Sequence, residues 1–188
     1  MLREIKISIV ALLALSALTG VLYPVTITAV ARLAFPGRSR GSLVEVNGVV
    51  RGSELLGQDW RGERWFHGRP SATAPVPYTP LPSVGSNLGP TNPALAQAFV
   101  ERAAALRAEN AHDPLPVDLL TSSASGLDPH ITPTAAHFQV ERVARARGLD
   151  PARLHALVDE HVEGRWLGLF GEPRVNVLAL DLALEALQ

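Results

Sequence analysis

The sequence predicts an α+β protein with one N-terminal transmembrane helix, followed by a single small soluble domain in which a short sheet is packed by helices. Three observations predict this fold. Residues 7–31 form 25 consecutive residues without a charge, the 148 residues from Gly41 onward suffice for one domain, and that part mixes hairpin and helix-capping signals. We place the anchor at residues 1–35 and the soluble domain at residues 36–188.

The uncharged run is long enough to cross a membrane. At ~1.5 Å per helical residue it extends roughly 38 Å, more than the ~30 Å of a bilayer's hydrocarbon core. A cleavable signal peptide is the main alternative, because Arg3 and Lys6 precede the run and residues 29–31 (Ala-Val-Ala) resemble a cleavage site. The run exceeds the ~7 to 15 residues of a signal h-region, which favours a permanent span. Arginines flank both ends, so charge alone does not choose its orientation.

Composition excludes several functions for the soluble part. From Pro36 onward there are 14 Arg against 17 Asp and Glu, a net charge of −3 that disfavours a nucleic-acid partner. Lys6 is the only lysine and the chain has no cysteine. A Walker A loop, Schiff-base chemistry, a thiol nucleophile and a thiolate metal site are therefore excluded from the soluble domain.

The first part of the domain is predicted to be a hairpin, a strand and a loop. Ser42–Gly52 places valines on either side of Asn47-Gly48, the typical two-residue hairpin turn. A short strand is expected at Arg64–His67. Gly68–Pro93, hereafter the Pro/Gly loop, contains seven prolines and three glycines, which exclude a regular element and predict an ordered, packed loop.

A helix and a buried strand are predicted next. Asn92-Pro93 has the pattern of an N-cap followed by proline at the first helical position, and the helix should continue toward Asn110 with Phe99 facing the core. The apolar run Val117–Thr121 is expected to be a buried strand. It leads into residues 121–130, hereafter the Ser/Gly loop.

The C-terminal part is predicted to contain three helices and a strand. Thr132-Pro133 begins a helix that ends at Gly148, and Asp150-Pro151 begins another. Pro173–Leu180 is expected to be a strand, and Asp181–Leu187 a short closing helix.

The Ser/Gly loop contains the residue types of a serine hydrolase. Ser125 as nucleophile and His130 as base would make the chain a membrane-anchored extracytoplasmic hydrolase, which is the alternative function. The loop lacks a G-x-S-x-G elbow, and Asp128 has a sufficient structural role in turning or capping the chain, so we predict no catalytic residue. The six histidines lack metal-site spacing, so no metal site is predicted.

Segments throughout the chain resemble those of one family, the C subunit of Kdp-type potassium-transporting ATPases (KdpC). Each segment is weak alone, but their order and spacing are specific. They are the apolar span with Tyr23-Pro24, Gly41–Leu43, Gly52–Gln58, Phe66–Ala72, Gly85–Pro90, Ser125–Ile131, Arg142–Ala144 and Gly171–Val177. The sequence departs from the pattern at Trp60, where phenylalanine is more usual, and at Asp181, where asparagine is common.

The resemblance implies a non-catalytic accessory subunit of a high-affinity, ATP-driven potassium uptake complex. Its partners would be a potassium-channel-like subunit, a P-type ATPase subunit and membrane lipid, with no nucleic acid. A catalytic-chaperone role proposed in the family would raise the pump subunit's affinity for ATP. The subunit would bind no cofactor firmly, and any contact with ATP would occur within the complex. The proposed nucleotide contacts are Ser123, Ser125, Gly126 and Gln139.

The resemblance also implies a location in the cell (inner) membrane with the bulk of the domain outside the cytoplasm. No ATP is available there, so this topology argues against direct nucleotide contact. The aromatic residues Trp60, Trp65, Phe66 and Tyr78, together with the Pro/Gly loop, suit either an interaction surface or core packing.

Overall fold

The computed structural model describes residues 1–187 and contains two compact units, Met1–Arg51 and Gly52–Gln188. The first unit begins with α1 (Leu2–Ala17), a π-helical turn (Leu18–Leu22) and α2 (Tyr23–Ala34). Together they form one apolar helix of 33 residues, whose length and composition suit a membrane span. None of the 18 residues in its most apolar stretch is buried inside the protein. The predicted N-terminal apolar helix is confirmed.

Pro24 explains the π-helical turn. Proline has no amide hydrogen, and its ring would collide with the carbonyl four residues earlier in a regular helix. The wider turn lets the amide of Tyr23 donate to the carbonyl of Leu18, five residues back. The helix therefore continues past the proline.

The predicted hairpin is confirmed. A short 3₁₀ turn (Arg38–Arg40) leads to β1 (Leu43–Val46), which pairs with β2 (Val49–Ser53) in a two-stranded sheet. Asn47 and Gly48 have φ values of 53° and 76°. Both are positive, as the type I′ turn of a two-residue hairpin requires.

A second, three-stranded antiparallel sheet has the order β3 (His130–Ile131), β5 (Arg174–Asn176), β4 (Val162–Glu163). In the central strand, Val175 lies opposite Ile131 on one side and Val162 on the other. The predicted strand Pro173–Leu180 is shorter than expected because Asn176 caps a helix by accepting a hydrogen bond from Ala179 N. That helix, α7 (Val177–Ala186), therefore starts before the predicted Asp181.

Three helices begin at their predicted caps. The side chains of Asn92, Thr132 and Asp150 each accept a hydrogen bond from a backbone amide of the first turn. These residues precede α3 (Pro93–Glu109), α5 (Pro133–Arg147) and α6 (Pro151–Glu160). Gly148, at φ 68°, ends α5 in the left-handed conformation.

Two predictions near α3 are wrong. Val117–Thr121 is not a strand, because Val117–Leu120 forms the single-turn helix α4, closed by a hydrogen bond from Thr121 N to Val117 O. Phe99 does not reach the core, because none of the side chains of α3 is fully buried. The core is instead filled by α5, α6, α7 and β5.

The predicted strand at Arg64–His67 is also wrong. The amide of Phe66 donates to Asp181 Oδ1 at 2.9 Å, and the amide of His67 donates to Gln139 Oε1 at 2.8 Å. The backbone groups that a neighbouring strand would satisfy are thus bound to side chains of α5 and α7. Phe66 itself is completely buried in the core.

Candidate functional site

The Ser/Gly loop packs against the Pro/Gly loop through hydroxyl–carbonyl hydrogen bonds. Ser71 Oγ donates to Gly126 O at 2.7 Å, and Ser83 Oγ donates to Ser125 O at 2.9 Å. The Pro/Gly loop is therefore ordered and packed as predicted, and it fixes the backbone of the segment that carries three of the predicted nucleotide contacts.

Close approach of the two loops requires glycine. A Cβ on Gly126 would lie 2.7 Å from Thr73 Cγ2 and 2.8 Å from Val84 O, and one on Gly85 would lie 2.6 Å from Ala124 O. Gly126 also has a φ of +70°, which strains other residues. These contacts give Gly126 a structural role in loop packing.

Arg69 joins the two ends of the Ser/Gly loop. Its Nη1 lies 3.1 Å from Asp128 Oδ2, and its Nη2 donates to Thr121 Oγ1 at 3.2 Å. Asp128 Oδ1 in turn accepts a hydrogen bond from His130 N. Burial alone would raise the pKa of Asp128, but the hydrogen bonds from His130 and Arg69 hold it below its usual range.

Tyr78 links two parts of the Pro/Gly loop to each other. Its hydroxyl donates to Arg69 O at 2.5 Å, and its amide donates to Ser71 Oγ at 2.9 Å. Burial raises the pKa of Tyr78 to about 12, so the phenol stays protonated as a donor. A Cβ on Gly57 would lie 2.6 Å from the tyrosine ring, so the glycine permits this packing.

The predicted nucleotide contacts lie in different environments. Ser123 and Ser125 line one cleft of about 560 Å³, where Ser123 is 6% exposed and Ser125 is exposed. Gly126 is buried and does not line the cleft. The other lining residues are Leu55, Leu56, Arg69, Ala124, Leu127, Asp128 and Pro129.

Gln139 lies in the core and does not line this cleft. It is 1% exposed, and its amide nitrogen donates to His67 O at 3.0 Å and to Ala135 O at 3.2 Å. Its oxygen accepts from His67 N and from Arg142 Nη2, each at 2.8 Å. These bonds satisfy its polar atoms within the domain, and its nucleotide contact stays a prediction.

Arg142 completes a buried polar network with Gln139. Its Nη1 donates to the carbonyls of Glu63 at 2.6 Å and Trp65 at 2.9 Å. Its Nε lies 2.8 Å from Glu109 Oε1, in a geometry that makes the contact an ion pair and not a hydrogen bond. Burial and the positive charge of Arg142 lower the pKa of the neighbouring His67. The network attaches residues 63–67 to α5.

The geometry of a serine hydrolase is not formed. Ser125 Oγ accepts a hydrogen bond from Leu127 N, while His130 Nδ1 lies 3.7 Å from Asp128 Oδ1. No hydrogen bond joins Ser125 to His130 in the described part of the chain. Across residues 1–187, no group of three or more His, Cys, Asp or Glu side chains could hold a metal ion.

The aromatic residues singled out from the sequence pack within the domain. Trp60 and Trp65 lie with their ring centroids 4.8 Å apart, and Arg147 Cζ lies 4.5 Å from the Trp65 ring centroid. Sequence reasoning missed a cluster of exposed apolar residues, which lies between β4 and β5. The uncharged stretch Trp166–Gly171, with four large apolar side chains, was the available signal.

Comparison with known proteins identifies the family. The family described as KdpC, the c chain of K⁺-transporting ATPases, matches residues 5–186. The chain therefore belongs to the KdpC family. It is 57% identical to the potassium-transporting ATPase KdpC subunit of Sorangium cellulosum (strain So ce56), over 98% of each chain. It is 53% identical to the KdpC subunit of Rhodopseudomonas palustris (strain BisB18), over 99% of each chain.

Proposed function

We propose that the chain is a non-catalytic accessory subunit of an ATP-driven potassium uptake complex, which it stabilises. Its partners would be a potassium-channel-like subunit and a P-type ATPase subunit. The family match over residues 5–186 carries this proposal. The N-terminal helix supplies a means of attachment to the same membrane as those partners.

The serine-rich cleft supports a docking role better than a catalytic one. The carbonyls of Ser125 and Gly126 are bound by the Pro/Gly loop, and the cleft is edged by Leu55 and Leu56, which are 60% and 39% exposed. Exposed leucines beside a rigid polar loop suit contact with another protein chain. This cleft is the proposed contact for a partner subunit.

Direct contact with ATP is a second form of the accessory role, in which the domain would raise the pump subunit's affinity for the nucleotide. It requires the cleft to face the cytoplasm. We propose the opposite side, as the family resemblance implies. Gln139 also argues against a shared nucleotide site, because it is engaged by the backbone of residues 67 and 135 and does not line the cleft with Ser123 and Ser125.

Cysteine labelling distinguishes the two forms, because the natural chain has no cysteine. Ser125→Cys, at an exposed position, is labelled with a membrane-impermeant maleimide in intact spheroplasts and again after lysis. We expect labelling before lysis. Leu2→Cys, on the other side of the span, is the reciprocal control and should be labelled only after lysis. The reverse pattern would contradict the extracytoplasmic placement and favour nucleotide contact.

A further inference from the structure

The segment between β4 and β5 displays its largest apolar side chains to solvent. Trp166, Leu167, Leu169 and Phe170 are 69%, 70%, 75% and 61% exposed. Together with Gly168 they form the apolar tip. Clusters of this kind on a soluble surface usually mark a binding site.

The apolar tip has a defined backbone conformation. Trp166 and Phe170 pair as an antiparallel bridge, with hydrogen bonds of 2.9 Å and 3.0 Å between their backbones. Their rings pack with centroids 5.8 Å apart. Leu167 and Gly168 turn the chain with φ values of 52° and 73°. Positive φ disfavours leucine, so the turn holds this side chain outward at some energetic cost.

The charges near the tip are paired at its base. Arg165 Nη2 lies 2.7 Å from Glu172 Oε2, and Arg174 Nε lies 2.9 Å from Glu163 Oε2. Residues 166–171 contain no charge. The tip is therefore an uncharged loop with two ion pairs at its base.

Four of the five backbone amides of the tip donate within the segment. The amides of Trp166, Gly168, Leu169 and Phe170 all donate to carbonyls of residues 165–170. A protein–protein interface supplies polar partners along its surface, whereas lipid supplies none beyond the headgroups. Internal satisfaction of these donors, with tryptophan beside leucine and phenylalanine, is the combination that suits a membrane interface.

Chain connectivity keeps this domain close to a bilayer. Only residues 35–51 separate the membrane helix from the second unit, so the connection spans at most roughly 60 Å when fully extended. We propose that the apolar tip inserts into the interfacial layer of the membrane that holds the N-terminal helix. It would be a second, non-spanning contact between the chain and lipid, with the ion pairs at the headgroup level.

Spin labelling of the reconstituted full-length chain tests this contact. Leu169→Cys carries the nitroxide at the tip, and Leu81→Cys, an 86% exposed leucine of the Pro/Gly loop, is the matched control. Collision with oxygen, which concentrates in lipid, is compared with collision with a water-soluble nickel chelate. We expect the ratio of oxygen to nickel collision at position 169 to be several-fold higher than at position 81.

Each other outcome overturns the proposal. Equal ratios at both positions would show that the tip stays in water, and protection of position 169 from both reagents would show protein contact. Because the base charges are paired, the effect should be the same in zwitterionic and anionic vesicles, and an effect confined to anionic vesicles would contradict apolar insertion. The chain is reconstituted without other subunits, so failure here is distinct from failure of the proposed accessory function.

Discussion

Buried Asp181 should make the stability of the domain depend on pH. Its side chain is completely buried, with Oδ1 accepting from Phe66 N and Oδ2 lacking a hydrogen-bond partner among the described residues. Burial raises the pKa of Asp181 from 3.8 to about 8, although the Phe66 amide, Arg147 and Arg142 oppose the rise. Between these values the folded state binds more protons than the unfolded state, so stability should fall as pH rises.

Asp181→Asn removes the charge while keeping the side-chain size and an oxygen for Phe66 N. A pH of 7 is about three units above the pKa of Asp181 in the unfolded chain, so folding must protonate this carboxylate at a cost of ~1.4 kcal/mol per unit. The substitution removes that cost and should stabilise the fold by roughly 4 kcal/mol. Near pH 4 the gain should shrink toward zero, because the native Asp181 is then neutral in the folded state and about half protonated when unfolded.

Urea denaturation of the full-length chain in detergent, followed by tryptophan fluorescence from pH 4 to pH 8, measures this difference. Glu101→Gln removes an exposed carboxylate of α3 and should show the native pH profile. Parallel stability curves for the native chain and Asp181→Asn would refute the buried, protonated carboxyl.

Three further substitutions, the last with a matched control, test the packing of the domain. Arg142→Ala should cost about 3–5 kcal/mol in urea denaturation, because it leaves Glu109 partly buried without its cation, and a loss below about 1 kcal/mol would contradict the network. Tyr78→Phe should cost about 1 kcal/mol by the same assay, since a buried hydrogen bond to a backbone carbonyl is lost, and no loss would contradict it. Gly126→Ala and Gly148→Ala both place alanine at a positive φ, which costs roughly 1–2 kcal/mol in each variant. Only at position 126 would the new Cβ also collide with atoms of the Pro/Gly loop. The thermal midpoint should therefore fall further for Gly126→Ala, and equal shifts would contradict the close approach.

Local signals in the sequence predicted the elements whose causes are local. The caps Asn92, Thr132 and Asp150 were predictable because each accepts its hydrogen bond within three residues. The hairpin turn was predictable because Asn47-Gly48 alone supplies two positive φ values. The same reasoning applies to the N-terminal helix, which depends only on length and composition.

Elements that depend on distant partners could not be predicted. Phe66 and His67 have the composition of a strand, but their amides are bound by side chains 115 and 72 residues away. Val117–Thr121 is too short for its apolar pattern to separate a strand from a helical turn. Both errors arise because tertiary contacts decide what a short segment becomes.

The site was predicted in part. The sequence indicated an ordered Pro/Gly loop, but not that Ser71 and Ser83 would bind the carbonyls of the Ser/Gly loop. It also could not show that Gln139 would be satisfied in the core while Ser125 stays exposed. Which aromatic side chains face solvent likewise depends on packing between distant segments.

Association with a potassium pump is the central claim, and purification of the complex tests it most directly. The chain, tagged at its C-terminus, is isolated in mild detergent from membranes of potassium-starved cells, with an untagged strain as the control. We predict that a P-type ATPase and a channel-like subunit co-elute with it, together with ATP hydrolysis that potassium stimulates. Reproducible recovery of the tagged chain alone, from membranes that contain the pump, would contradict the accessory function.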